Sequence, residues 1–132
     1  MDIEILKIAS DTKNHKVLDK CTHKAKQKNS ICGDEMDVSV KIVKDQILDF
    51  GYQCKSCIFC QASASVLSNF SINNKISNIE KTINFFETFF ENEATKIPKE
   101  FKKFKVLFKK NNLSRKECIL LPFKTLSKAL KS

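Results

Sequence analysis

The chain has 132 residues and a net charge of +9, from 24 Lys and Arg against 15 Asp and Glu. That length suits a single domain, residues 1–132, with a small core. Gly33 and Gly51 are the only glycines and no nucleophile–His–Asp set is evident, so hydrolase, kinase and dehydrogenase chemistry is not expected.

Residues 2–10 predict a short helix, with Ile5, Leu6 and Ala9 on one face. Residues 11–30 are polar and basic and read as loop, with one weak edge strand near Thr22–Lys28. From Met36 the period changes to two: Met36, Val38, Val40 and Ile42 alternate with polar residues, the pattern of a half-buried strand. Lys44-Asp45 makes a two-residue turn, and Gln46–Gln53 returns with Leu48, Phe50 and Tyr52 alternating. The hairpin brings Cys32 and Asp34, just before its first strand, near Cys54 and Cys57, just after its second.

A helix over Phe59–Asn69 follows, its small residues Ala62, Ser63, Ala64 and Ser65 allowing close approach to the sheet. Cys57 then falls at or just before a helix N-terminus, where exposed amides favour an anion. Ser77-Asn-Ile-Glu80 reads as a capping box opening a helix to about Asn92. Pro98 suits the start of a helix to about Lys110, with Phe101, Phe104, Leu107 and Phe108 inward and its lysines solvated. Ser114-Arg-Lys-Glu117 is a second capping-box pattern, placing Cys118 in a first helical turn. Pro122 predicts a kink or restart before helix resumes to about Leu130. The fold class is α+β: a small antiparallel sheet packed by several helices.

The positive balance would suit nucleic acid, an anionic membrane or an acidic protein. Basic and aromatic residues do not interleave in a nucleic-acid motif, and richness in Lys, Asn, Ile and Phe throughout reads as a compositional bias. There is no secretory signal at the N-terminus and no apolar run of about 20 residues, so neither export nor a membrane span is expected. A cytoplasmic chain keeps its thiols reduced, and six cysteines then argue for metal or sulfur chemistry rather than disulfides.

Spacing alone leaves the ligand set open. Cys32 and Asp34 are two apart, and a bend at Gly33 turns both side chains one way. Cys54-x2-Cys57-x2-Cys60 is also a metal-like triplet, suited to zinc or an iron–sulfur cluster with one outside ligand. Cys60 falls inside the helix, where a packed thiol is the competing reading. Cys21 reads as a bystander, and His15 and His23 as surface histidines.

Cys32-Gly-Asp34, Cys57 followed by Ala62-Ser-Ala-Ser65, and Arg115-x-x-Cys118-Ile-Leu-Leu121 together resemble the iron–sulfur cluster assembly scaffold family of the IscU, SufU and NifU N-terminal type. Arg115, and Glu117 where the IscU-like branch has histidine, are similar to the SufU-like branch. The resemblance implies Cys32, Asp34, Cys57 and Cys118 as ligands of a [2Fe–2S] cluster or Zn2+, with Cys54 and Cys60 as additional candidates. It implies Cys118 as acceptor of persulfide sulfur from a cysteine desulfurase, and apo iron–sulfur proteins as recipients. Two functions follow: an assembly scaffold, or a zinc-dependent sulfurtransferase without cluster assembly of its own. A basic binding protein stapled by zinc is the third.

Overall fold

The computed structural model describes residues 3–29, 33–55, 57–91 and 96–132. Its elements are α1 (Ile3–Ala9), β1 (His23–Lys28), β2 (Glu35–Val43), β3 (Gln46–Lys55), α2 (Ile58–Ser71), α3 (Ile76–Glu87) and α4 (Lys116–Leu130), with short 3₁₀ turns between α3 and α4. The three strands form one antiparallel sheet in the order β1-β2-β3, so the α+β expectation holds.

The hairpin forms as its alternation dictates. Met36, Val38 and Val40 on β2 pair with Cys54, Tyr52 and Phe50 on β3, and this row faces the core. Lys44 and Asp45 both take positive φ (51° and 62°), as a two-residue turn matched to strand twist requires. The pairing shifts between Lys41 and Ile42, so Ile42 meets Ile47 and Leu48 is skipped. This bulge reverses the expected alternation at one point: Ile47 is buried and Leu48 is 43% exposed. Strand β1 is the expected edge strand and pairs from His23↔Val40 to Lys28↔Glu35. The polar segment ahead of it is pinned rather than loose. Tyr52 N–H donates to the Asn14 carbonyl (3.0 Å), and Asn14 Nδ2 donates to Ser68 Oγ and Asn69 Oδ1 (both 3.0 Å). Gly51 makes room for it, since a Cβ there would lie 2.7 Å from the Lys16 carbonyl oxygen.

The helices lie on the core face. Helix α4 packs against α2, α3, β1 and β2. Ala62, Ser63, Ala64 and Ser65 are all buried along α2, as close approach demands. In α1, Ile5 and Ala9 are buried but Leu6 is 44% exposed, outside the stripe assigned to it.

Five expectations about the helices are corrected. Helix α3 begins at Ile76 with Lys75 as N-cap and no side-chain cap, so the Ser77–Glu80 box does not form. The hairpin sets that start instead, because Ile76 N–H donates to the Asp45 carbonyl (2.8 Å) and Asn73 N–H to that of Ile47 (2.6 Å). The helix ends at Glu87, not near Asn92, a residue outside the described ones. The Ser114–Glu117 box does not form either: α4 opens at Lys116 behind Arg115, without a side-chain cap.

The stretch from Pro98 to Lys110 is not an α-helix. It is a 3₁₀ turn, Lys99–Phe104, broken at Phe101 (φ −109°, ψ 17°), and a second follows at Lys110–Arg115. Phe101, Phe104 and Leu107 are spaced by three, which lines one face of a three-residue turn. Lys105 and Lys109 are four apart and would repel on an α-helix.

Finally, α4 runs through Pro122 without a break. Proline removes the bond to the carbonyl four residues back and crowds its neighbours. The carbonyl left without its helical donor is that of Cys118; one residue on, Ser63 Oγ donates to the Ile119 carbonyl (2.6 Å), which ties α2 to α4 at this point.

Phe50, Phe86, Phe101, Phe104, Phe108 and Phe123 are buried, and Phe59, Phe70, Phe85, Phe89 and Phe90 are half-buried against the core. Phe86 is fully buried and stacks on Phe108 (centroids 4.2 Å apart, 24° between planes), with Phe101, Phe104 and Phe123 around it.

Candidate metal centre

Three elements deliver one side chain each to a single point. Asp34 Oδ, Cys57 Sγ and Cys118 Sγ all lie within 4.8 Å of one another, and among the described residues no other group of three such donors exists. Asp34 and Cys118 are buried, at 5% and 4% exposure, and Cys57 is half-buried.

Asp34 is set by the loop between β1 and β2. Asn29 N–H donates to the Asp34 carbonyl (2.7 Å), and Gly33 N–H donates back to that of Asn29 (2.8 Å). Gly33 sits at φ +73° with nothing within 4 Å of an added Cβ, so the backbone angle, not space, is what calls for glycine. Cys57 is the N-cap residue of α2, with extended backbone (φ −71°, ψ 168°), where the sequence put it. Its N–H donates to Asp34 Oδ1 (3.3 Å), tying carboxylate to thiol-bearing backbone. Cys118 lies in the first turn of α4, beside the Ser63–Ile119 hydrogen bond that joins this helix to α2.

Cys32 lies outside the described residues. Cys54 and Cys60 do not enter the donor group. Cys60 is fully buried in α2, and Cys54 is half-buried on the core face of β3 opposite Met36. Both are close enough to Tyr52 to act on its hydroxyl: burial first, then the charges of Cys54, Asp11 and Cys60, push it up to about 12. Cys21 is exposed, and neither histidine joins the centre; His15 rests edge-on against Tyr52 (5.2 Å). The Arg115 guanidinium stands over the Phe59 ring, 5.6 Å from its centroid.

The donors fit a metal. In a tetrahedral zinc or iron site, thiolates about 2.3 Å from the ion stand about 3.8 Å from each other. A spread within 4.8 Å needs only a small contraction to reach that. Ser63 and Asn29 support the centre and were not identified from sequence as doing so. The small-residue run held Ser63 in view as a packing residue, and nothing distinguished Asn29 in its polar segment.

Two cysteines and a carboxylate gathered at one point make a candidate thiol-and-carboxylate metal centre. Residues 2–109 match the NifU-like N terminal domain. The chain is 30% identical over 127 residues to the iron–sulfur cluster assembly scaffold protein IscU of Thermotoga maritima, covering 96% of this chain and 89% of that one. Among solved structures it is similar to a NifU-like protein (N-terminal) from Brucella abortus, with a TM-score of 0.88, 20% identity and coverage of 98% and 91%. It is similar as well to a protein of Fervidobacterium islandicum named as a scaffold for iron–sulfur cluster assembly in the SUF system (TM-score 0.84, 23% identity, coverage 98% and 96%). The chain belongs to the NifU-like N-terminal domain family, that of the iron–sulfur cluster assembly scaffolds.

Proposed function

We propose that this chain is a scaffold on which an iron–sulfur cluster is assembled before transfer to apo-proteins in the cytoplasm. The observation that carries the reading is the convergence of Asp34, Cys57 and Cys118 within 4.8 Å, in a member of the scaffold family. Cys32, two residues before Asp34, is the fourth ligand of this reading. The cluster is cargo: thiolates hold it, and one carboxylate among them makes it easier to release than four thiolates would.

Cys118 is the sulfur acceptor in this scheme. Its thiolate attacks the outer sulfur of a cysteine desulfurase persulfide. One S–S bond forms as another breaks, and the electron pair leaves on the desulfurase thiolate. Burial of Cys118 at 4% exposure protects the product from stray thiols and requires the donor to dock closely. Asp34, held by the Cys57 amide, keeps its carboxylate directed at the two sulfurs.

The donor set also suits zinc, and Arg115 before Cys118 favours a SufU-type zinc-dependent sulfurtransferase as the second reading. Iron, zinc and acid-labile sulfide measured in anaerobically isolated protein separate the two. Iron and sulfide in equal amounts, lost in Cys57→Ala with the fold retained, is the expected result. One zinc per chain without sulfide selects the sulfurtransferase, and absence of every metal overturns both.

A further inference from the structure

The net charge of this chain is not spread along it. Residues 96–116 carry nine Lys and Arg against one acid, Glu100, a balance of +8; the other 111 residues carry 15 against 14, a balance of +1. A chain-wide compositional bias explains the number of lysines but not why they go unbalanced in one place.

All nine cations are exposed, while Phe101, Phe104, Val106, Leu107 and Phe108 between them are buried. The segment therefore presents one outward cationic skin over an apolar underside. Its acids do not neutralise it. Glu100 pairs with Lys81, outside the segment (3.7 Å), and Glu117, just past its end, pairs with Lys124 (3.5 Å). Glu87 and Glu91 stand only at its N-terminal border. Lys99, Lys102, Lys103, Lys105 and Lys110 make no ion pair among the described residues. Lysines this close in the chain carry like charge on one short stretch and raise its local positive potential. Only its Arg115–Lys116 end lies near the metal centre, with Arg115 over the Phe59 ring and Cys118 in the first turn of α4; Phe101 and Phe104 pack on Phe70, at the other end of α2 from Cys57.

We propose that residues 96–116 are a docking face for a protein with an acidic surface, a face whose Arg115–Lys116 end alone reaches the neighbourhood of Cys57 and Cys118. What is exchanged there rests on the scaffold reading above; the docking itself does not. Nucleic acid fits less well. Eight of the nine cations are lysine rather than the forked guanidinium suited to phosphate. Phe101, Phe104 and Phe108 point inward, leaving no stacking platform for bases, and short 3₁₀ turns offer no helix to enter a groove.

The test is an amide-shift titration of the isotopically labelled full chain with an oligo-glutamate peptide, and separately with a DNA duplex of matched charge. The peptide is expected to move resonances within 96–116 and around Cys118, with affinity falling about tenfold from low to physiological salt. Charge reversal at exposed positions (Lys102→Glu, Lys103→Glu and Lys105→Glu together) is expected to weaken it by a further tenfold or so, with iron and sulfide loading unchanged. Peptide binding indifferent to the reversal overturns the proposal. Tighter binding of the duplex at physiological salt overturns it too. A chain that loads no iron or sulfide but binds peptide through 96–116 refutes the scaffold reading and upholds the docking face.

Discussion

The sheet end that gathers Asp34, Cys57 and Cys118 and the 3₁₀ turns between Lys99 and Arg115 are held in different ways. At the sheet end, directional bonds fix the backbone: Gly33 to Asn29, Asn29 to Asp34, and Cys57 to the Asp34 carboxylate. Along the segment, short 3₁₀ turns bury a set of phenylalanines packed on Phe86, and one buried side chain, Asn112, donates to the Val106 and Leu107 carbonyls (both 3.1 Å). Hydrogen bonds demand one geometry and so can present three donor atoms within 4.8 Å. Apolar burial is non-directional and accepts whatever backbone turns the rings inward. The first region suits a site and the second suits a surface whose outer face is free to vary.

Changes in each region should therefore have different signatures. The largest effect belongs to Phe86→Ala, which empties the centre of the ring cluster. Denaturant unfolding should show a loss of about 3–5 kcal/mol, with zinc affinity of the folded fraction unchanged. A large drop in metal affinity would mean that the ring cluster also sets the geometry of the donors.

Tyr52 lies on the core face of β3, against Phe50 and His15. Its hydroxyl is held neutral up to about 12 in the fold against 10.0 unfolded. Between these values the unfolded chain loses its proton first, so stability present below pH 10.0 should fall as pH rises and level off near about 12. The loss should reach at most about 3 kcal/mol and vanish in Tyr52→Phe.

Ser63→Ala removes the donor to the Ile119 carbonyl. Unfolding should cost about 1–2 kcal/mol, and the spectrum of bound Co2+ should change, since Cys118 is on the neighbouring residue. An unchanged spectrum would separate the helix–helix bond from the site.

The smallest stability effect is expected for Gly33→Ala, about 1 kcal/mol from the positive φ alone, since no atom crowds the new methyl group. Weaker zinc binding should accompany it, because Asp34 follows directly. Unaltered affinity would show that the carboxylate does not depend on the turn.

These contrasts also explain where the sequence could be read. The hairpin, its Lys44-Asp45 turn, the N-cap position of Cys57 and the first-turn position of Cys118 were legible because each rests on near neighbours in the chain. The same local patterns misled at Leu48, where one bulge residue reversed the alternation, and at Ser77 and Ser114, where helix starts lie elsewhere.

The sequence by itself determined which residue types could hold a metal, the alternation of β2 and that strand and helix would both be present. Periodicity and residue type act locally, and they survive any arrangement of the elements. Only the tertiary structure decided that Asp34, Cys57 and Cys118 meet while Cys54 and Cys60 face Tyr52 instead. It alone decided that α4 runs straight through Pro122 and that the lysine-rich stretch is 3₁₀. Those outcomes depend on the packing of α4 on α2 and on rings from several elements, partners far away in the chain whose distance no local pattern encodes.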